Sequence, residues 1–291
     1  MRKRKYIGFW KRWIMRVNRD SLSARASNIA KEKGISANVV YSRYFFDCFL
    51  KRLSVSPYVE KFVLKGGLLL SSLFGIENRV TMDIDFIVRR IRMERETIVG
   101  IMKEICEEKT DDNVSFRYIG NSEIKKDDVY GGFSVSIEGR LENVRQRFDI
   151  DLATGDLVYP SDQNYEYRCL VTGETLRLKS YSVESVVAEK LETFLSRGPL
   201  NSRAKDLYDL YVLERIIEKN SLALKEAFME TCRHRKFETD REKAAKTFES
   251  VSSSPMQRKS WDSYSRKTGY AKQIAFDDVV DSIGRLIEIV I

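Results

Sequence analysis

The sequence contains a single histidine, His234, among its 291 residues. A histidine-rich zinc site is therefore nearly excluded, and a Ser-His or Cys-His mechanism would have to use that one residue. The four cysteines, Cys48, Cys106, Cys169 and Cys232, are far apart and form no C-x-x-C pair. They predict free thiols in a reducing compartment and argue against a zinc ribbon or a thioredoxin-type site. Any chemistry should rest on carboxylates and lysines.

Long apolar runs are also missing from this sequence. No run approaches the roughly 18 apolar residues that a membrane-spanning helix needs, and the N-terminus lacks the apolar segment of a signal peptide. Hydrophobic residues make up 43% of the chain and charged residues 32%, as in soluble globular proteins. We therefore expect a cytoplasmic protein without a membrane span, built as one large domain or two closely packed ones.

Positive charge is concentrated at the N-terminus. Residues 1–20 contain eight Lys/Arg and one Asp, so this basic arm contributes +7 of the net charge of +8. Together with Tyr6, Trp10 and Trp13, the arm could contact a phosphate backbone or an anionic membrane surface. A solvated helix that packs its aromatic residues on the protein body explains the pattern equally well.

Hydrophobic periodicity predicts helices at both ends of the chain and strands between them. Asp20 or Ser21 is expected to cap a first helix that ends at Lys33 before Gly34. Further helices are predicted at 37–53, at 94–108 and from 183 onward, and strands at 80–88, 114–119, 132–138, 144–152 and 167–179. The fold class is therefore α+β followed by an all-α C-terminal region, divided into residues 1–180 and 181–291.

Two carboxylates share one face of the strand predicted in "VTMDIDFIV". Asp83 and Asp85 point to the same side, while Ile84 and Phe86 point to the other. Like charges this close resist joint ionisation unless a cation lies between them. The pair therefore indicates either a divalent-metal site or a strand with one solvated face.

A second pair of carboxylates occurs in "RQRFDIDLATGD", where Asp149 and Asp151 again share one face of a predicted strand. If the two strands are neighbours, three or four carboxylates converge on one side of a sheet. Such hard oxygen ligands suit Mg²⁺, or alternatively Mn²⁺, which completes its coordination with substrate phosphates and water.

A glycine turn, Lys65-Gly66-Gly67, precedes the first aspartate pair. Its backbone N–H groups and the start of the next helix can face an anion, and Lys65 adds a positive charge. These three residues are therefore candidates for binding the phosphates of an NTP.

Four segments together resemble the AbiEii/MenT-type nucleotidyltransferase toxins of the DNA polymerase β-like nucleotidyltransferase superfamily. They are "FVLKGGLLL", "RVTMDIDF", "FDIDLATGD" and "YSVESVVAEKLETFLSRGPLNSRAKDLYDLYVL", and the resemblance covers roughly residues 20–215. It implies a mixed sheet flanked by helices as the nucleotidyltransferase core, with the C-terminal helical domain completing the active-site cleft.

The resemblance also implies the site residues. Asp83 and Asp85 would bind the metal and Asp151 would be the third metal-binding and catalytic carboxylate. Asp149 competes for that place, but the D-x-x-x-G-D pattern, completed by Gly155 and Asp156, favours Asp151. In the superfamily the first motif usually reads Gly-Ser, and here Gly67 stands in place of the serine.

Two further catalytic positions, Lys190 and Asp206, follow from the same resemblance, with Lys190 also neutralising NTP phosphates. Without the resemblance, Lys190 and Asp206 are residues of two predicted helices that the Gly198-Pro199 turn joins. The second of these helices is expected to be capped near Ser202. On that reading they form a surface ion pair between the helices.

The function implied is in-line transfer of a nucleoside monophosphate from an NTP to an acceptor, with release of pyrophosphate. Related toxins modify the 3′ end of tRNA, and the basic arm and the run Arg233–Lys236 would suit an RNA partner. The resemblance also implies a cognate antitoxin and a role in abortive infection. Alternatives are a metal-dependent nuclease, NTP-dependent modification of a protein, and a non-catalytic module that senses NTPs.

Overall fold

The computed structural model describes residues 17–124, 131–155, 158–159, 161–201, 203–218 and 221–291. Within these ranges, no helix has both the length and the apolar character required to cross a membrane. The four cysteines are all buried and none is in a disulfide.

Two N-terminal helices, α1 (Arg19–Lys33) and α2 (Ala37–Val55), precede the sheet. The prediction that Asp20 or Ser21 caps α1 is wrong, because Asn18 is the cap. Its side chain accepts the N–H of Ser21 at 2.9 Å and the Ser21 hydroxyl accepts the N–H of Asn18, forming a reciprocal capping box. Gly34 ends the helix at φ 65°, as predicted.

Seven strands in the described part of the chain form one mixed sheet. They are β1 (Phe62–Lys65), β2 (Asp83–Val88), β3 (Ser115–Ile124), β4 (Gly132–Leu141), β5 (Val144–Ala153), β6 (Gln163–Arg168) and β7 (Thr175–Ser180). The spatial order is β3-β4-β5-β2-β1-β7-β6, in which β2–β5 and β1–β7 are parallel pairs and the other pairs are antiparallel. The predicted α+β class with a mixed sheet is confirmed.

The expected strand at 167–179 is instead a hairpin of β6 and β7. Its turn is closed by the N–H of Cys169, which donates to Glu174 O at 2.8 Å, and by the N–H of Gly173, which donates to Cys169 O. Gly173 has φ 68°, a left-handed conformation that suits glycine and reverses the chain.

Helix α2 covers one face of the sheet and leaves the opposite face for polar residues. Phe46 of α2 packs edge-on against Phe148 of β5 at 5.0 Å, and Phe49 packs against Phe116 of β3 at 5.9 Å. Ile150 follows Phe148 on the same side of β5 and is fully buried. The side chains that alternate with them, including Asp149 and Asp151, therefore point to the other face.

Within the described residues, two shorter helices, α3 (Gly66–Phe74) and α4 (Arg95–Glu107), connect strands, and six helices follow the sheet. These are α5 (Val183–Arg197), α6 (Ala204–Leu213), α7 (Leu222–His234), α8 (Arg241–Ser252), α9 (Pro255–Lys267) and α10 (Phe276–Val290). No strand follows Ser180 in the part of the chain that the structure describes, so the predicted helical C-terminal region is confirmed. Arg203 precedes α6 and gives no side-chain cap, and Ser202 lies outside the described residues. The division into domains at residue 180 stays a prediction.

Candidate active site

Four aspartates meet on one face of the sheet because β2 and β5 are parallel neighbours in matched register. Asp83 is paired with Asp149, and Asp85 is paired with Asp151. Residues directly opposite each other on neighbouring strands point to the same face. The strands β2 and β5 are therefore neighbours, as the predicted convergence of carboxylates required.

The turn Gly66-Gly67 is shaped around the carboxylate of Asp85. Gly66 has φ 63°, and a Cβ atom placed on it would lie 2.0 Å from Asp85 Oδ2. The N–H of Gly67 donates to that same oxygen at 3.2 Å, so Asp85 satisfies a free amide at the N-terminus of α3. A Cβ on Gly67 would lie 2.4 Å from Thr81 Oγ1. The two glycines thus allow the Gly66-Gly67 turn to lie close to Thr81 and to Asp85 of β2.

The carboxylates of Asp83 and Asp151 repel that of Asp85. Burial raises the pKa of Asp85 to about 6, and the charges of Asp83 and Asp151 add to that effect. Lys65, which is paired with Asp85 across β1 and β2, lowers the pKa, as does the N–H of Gly67. Lys65 and the N–H of Gly67 do not cancel the increase in the pKa of Asp85. Additional positive charge beside Asp83 and Asp85 would therefore stabilise their ionised forms.

Hydroxyl groups hold the other three carboxylates. The Thr81 hydroxyl donates to Asp83, the Ser134 hydroxyl donates to Asp151 Oδ1 at 2.6 Å, and the Ser136 hydroxyl donates to Asp149 Oδ1 at 2.5 Å. Asp83, Asp85 and Asp151 are partly buried, whereas Asp149 is exposed. The sequence does not reveal Ser134 and Ser136 as partners, because they lie on β4 and not on the strands that carry the aspartates.

The donor set fits a hard divalent cation by its chemistry, since it offers carboxylate oxygens that repel one another. Across the residues with a described position, no three His, Cys, Asp or Glu side chains are already arranged as a metal-binding cluster. Asp83 and Asp151 are turned towards Thr81 and Ser134 instead. Binding of a cation by Asp83, Asp85 and Asp151 would require Asp83 and Asp151 to turn away from these hydroxyls, and the metal assignment stays a prediction.

Lys190 and Asp206 contact each other inside a buried charge cluster. The Lys190 ammonium lies 2.5 Å from Asp206 Oδ1 and 2.9 Å from Asp209 Oδ2, and the two carboxylate side chains are 7% and 0% exposed. Arg203 adds a contact of 2.6 Å to Asp206 Oδ2. The interpretation as a surface ion pair is therefore wrong, because the pair is buried and has further partners.

Arg79 connects this cluster to the loop before β2. Its guanidinium donates to both carboxylate oxygens of Asp209, at 2.7 and 3.2 Å, and to Val80 O at 2.8 Å. The Tyr208 hydroxyl of α6 donates to Asn78 O at 2.6 Å in the same loop. The charge cluster therefore joins α6 to the segment that leads into Asp83. Sequence reasoning missed Arg79, because nothing in its spacing links it to residues 130 positions away.

Lys205 is a second residue that sequence reasoning did not assign. The surroundings of its ammonium group remove part of its hydration, and with the nearby charge of Arg79 this lowers the pKa of Lys205, whereas Asp83 opposes the shift. Lys205 thus lies within electrostatic range of Asp83, while the charge of Lys190 is matched by two carboxylates. The only signal in the sequence was its position next to Asp206.

Of the two basic segments proposed to contact RNA, the structure describes the run Arg233–Lys236 but not most of the N-terminal basic arm. Arg235 is turned inward, with its guanidinium 2.5 Å from Glu192 of α5, and Arg233 is paired with Glu230. The run Arg233–Lys236 therefore uses two of its charges within the protein. Most of the basic arm, residues 1–16 with Tyr6, Trp10 and Trp13, lies outside the described residues, as does Asp156.

Comparison with known proteins gives one family match. Residues 48–282 match the sequence model of a family described as "Nucleotidyl transferase AbiEii toxin, Type IV TA system". This range includes all four aspartates, the glycine turn and the buried charge cluster. No curated protein gives a significant match to the chain.

Several solved structures resemble the chain at low sequence identity. The protein JHP933 from Helicobacter pylori is 17% identical, with a TM-score of 0.49 over 88% of this chain and 91% of that one. A second H. pylori protein is 16% identical, with a TM-score of 0.48 over 88% and 94%. An antigenic nucleotidyltransferase-like protein from Paracoccidioides brasiliensis is 13% identical, with a TM-score of 0.37 over 80% and 94%. At these scores the likenesses support no functional conclusion.

Proposed function

The chain belongs to the AbiEii nucleotidyltransferase toxin family, and from that premise we propose that it transfers a nucleoside monophosphate from an NTP to the 3′ end of tRNA. Membership makes the protein a nucleotidyltransferase toxin with a nucleotide substrate and an antitoxin partner. The RNA acceptor, a requirement for Mg²⁺, and a role in abortive infection within the cytoplasm belong to the proposal.

The observation that carries the proposal is the register of β2 and β5, which puts Asp83 and Asp85 beside Asp149 and Asp151. A divalent cation bound by Asp83, Asp85 and Asp151 would neutralise charge on the triphosphate. The repulsion that raises the pKa of Asp85 supports this assignment, because a cation would relieve it.

The reaction proposed is an in-line displacement at the α-phosphorus of the NTP. The acceptor hydroxyl oxygen forms the new P–O bond, and the bond to the β-phosphate oxygen breaks with release of pyrophosphate. Asp151, held by Ser134, accepts the proton of the acceptor hydroxyl. Lys65, which interacts with Asp85 across β1 and β2, is the residue proposed to neutralise phosphate charge, beside the amides of Gly66 and Gly67.

Lys190 and Asp206 have an indirect role in this proposal. The Lys190 ammonium is held by Asp206 and Asp209, so it positions α6 against the Arg79 loop. Lys205, whose pKa responds to Asp83, is then better placed than Lys190 to offer charge to the triphosphate. Asp206 keeps Lys190 and Arg203 together on the two helices.

The test is incubation of the protein with unfractionated tRNA and each of the four α-labelled NTPs, with Asp83→Ala as the control. Incorporation of label into tRNA by the wild type alone is expected. Shortened tRNA without label would indicate a nuclease, and label in a protein would indicate a protein acceptor. Binding of NTP without any pyrophosphate release would reduce the chain to a nucleotide-sensing module. A phage challenge with and without the antitoxin checks the defence role.

A further inference from the structure

We propose that an open groove between α6 and α9 binds the phosphate backbone of the acceptor RNA, an inference that rests on the proposed function. The groove has a volume of about 770 Å³. Its lining includes four basic residues: Arg203 and Lys205 from the start of α6, and Lys259 and Lys267 from α9. Among the described residues of the lining, Asp206 is the one acidic residue.

The charge of the groove is positive because the carboxylate in its described lining, Asp206, is already neutralised. Asp206 is bound by both Lys190 and Arg203. Among the residues with described positions, Lys205, Lys259 and Lys267 have no ion-pair partner within 4 Å, and all three are exposed. The arginines of the Arg233–Lys236 run differ, since Arg233 and Arg235 are paired with glutamates. The groove therefore offers uncompensated positive charge to an anionic ligand.

The lining of the groove interacts electrostatically with residues at the carboxylate site. Lys205 forms one wall and interacts electrostatically with Asp83. Tyr264, which lines the opposite side, interacts with Asp209 and Arg79, the pair that joins α6 to the loop before β2. An RNA strand that occupies the groove would therefore contact a lysine that lies within electrostatic range of Asp83.

The length of the groove favours a polynucleotide over a single triphosphate group. Lys259 and Lys267 are eight residues apart on α9 and so lie about 12 Å apart along the helix axis, at 1.5 Å per residue. Each strand of a duplex carries one phosphate per about 3.4 Å of helix axis, so the same distance along a duplex axis corresponds to three or four nucleotides. Lys205, which lies within electrostatic range of Asp83, adds a further positive charge to the lining.

The test compares the double variant Lys259→Gln/Lys267→Gln with the control Lys109→Gln/Lys225→Gln. The control removes the same charge at two exposed lysines, one after α4 and one on α7. Binding of unfractionated tRNA is measured by fluorescence anisotropy over a range of salt concentrations, and binding of NTP is measured separately. The slope of log K against log salt should decrease by about 1.4 for the groove variant, at about 0.7 per single-strand phosphate contact. The control should keep the wild-type slope, and NTP affinity should be unchanged in both.

Several outcomes would overturn the assignment. They are an unchanged salt slope in the groove variant, no tRNA binding by the wild type, and an equal loss of tRNA affinity in the control. A parallel loss of NTP affinity would reassign the groove to the triphosphate, and loss of antitoxin binding with unchanged tRNA affinity would reassign it to the protein partner. Because these measurements need no turnover, a reduced salt slope in the groove variant, together with a wild type that transfers no nucleotide, would refute the proposed function and leave the groove established.

Discussion

Asp209 Oδ2 lies 2.9 Å from the ammonium nitrogen of Lys190, and neither side chain is more than 15% exposed. The same carboxylate accepts two hydrogen bonds from Arg79. Because Lys190 is on α5, Asp209 on α6 and Arg79 in the loop before β2, this contact joins three separate segments of the chain. Buried charges of this kind stabilise a structure only when every partner is present.

Lys190→Ala should destabilise the protein by roughly 3–5 kcal/mol, because it leaves Asp206 and Asp209 buried with less compensation. The free energy of unfolding in urea measures the effect, and Lys225→Ala, at an exposed position on α7, is the control. Nucleotide transfer should decrease together with stability. Loss of transfer by two or more orders of magnitude with unchanged stability would show instead that Lys190 acts directly on the phosphates.

Asp209→Asn should reduce stability near neutral pH, and the difference from the wild type should disappear in acid. Burial alone would raise the pKa of Asp209, but Lys190 and Arg79 outweigh it and hold the pKa below its ordinary value of 3.8. A carboxyl group with a lowered folded-state pKa contributes stability above the unfolded pKa and loses it as the pH falls through the folded value. The difference in unfolding free energy between the two proteins, measured from pH 7 to about pH 1, should therefore be constant above 3.8 and shrink as the pH falls further. A constant difference across this range would contradict the ion-pair account.

Gly66→Ala should abolish nucleotide transfer, because the new methyl group would overlap the Asp85 carboxylate and φ 63° is unfavourable for alanine. Two controls separate the causes. Gly34→Ala has a similar φ of 65° with open space around it, so it reports the backbone effect alone. Gly100→Ala, within α4 and also without neighbours, should stabilise the protein by about 1 kcal/mol through helix propensity. Full activity in Gly66→Ala would show that the close approach to Asp85 is not required.

Asp85→Asn should eliminate both nucleotide transfer and any increase in melting temperature caused by Mg²⁺. In the absence of Mg²⁺ the variant should be at least as stable as the wild type, because burial and Asp83 disfavour the charge on Asp85. Asp149→Asn, at the exposed carboxylate of the same face, should retain activity, whereas Asp151→Asn should lose it. The reverse result for these last two variants would assign the third carboxylate to Asp149.

The sequence was sufficient to predict the alternation that puts Asp83 with Asp85 and Asp149 with Asp151, because side-chain direction in a strand depends only on a period of two. That β2 and β5 are parallel neighbours is a non-local property, since about 65 residues separate the two aspartate pairs and no local pattern specifies the pairing. The hairpin of β6 and β7 was missed because its two strands read as one β-like run, and only Gly173 marks the reversal.

Arg79 and Lys205 could not be found from the sequence for a different reason. Each acquires its role through residues on other elements: Arg79 through Asp209, and Lys205 through Asp83. Periodicity describes which residues are buried and which are exposed, but it does not describe which charges meet across an interface. The buried charge cluster required the packing of α5 and α6 to be known.

The contact between Gly66 and Asp85 limits how the two positions can vary. A Cβ on residue 66 would approach even the Cβ of Asp85 to 2.8 Å, so shortening Asp85 to alanine would not make room for it. Only glycine at position 85 would relieve the overlap, and that change would remove the carboxylate. In a library in which both codons are randomised, selection for toxicity should therefore recover glycine at 66 together with aspartate at 85. The two residues should be recovered together and not separately.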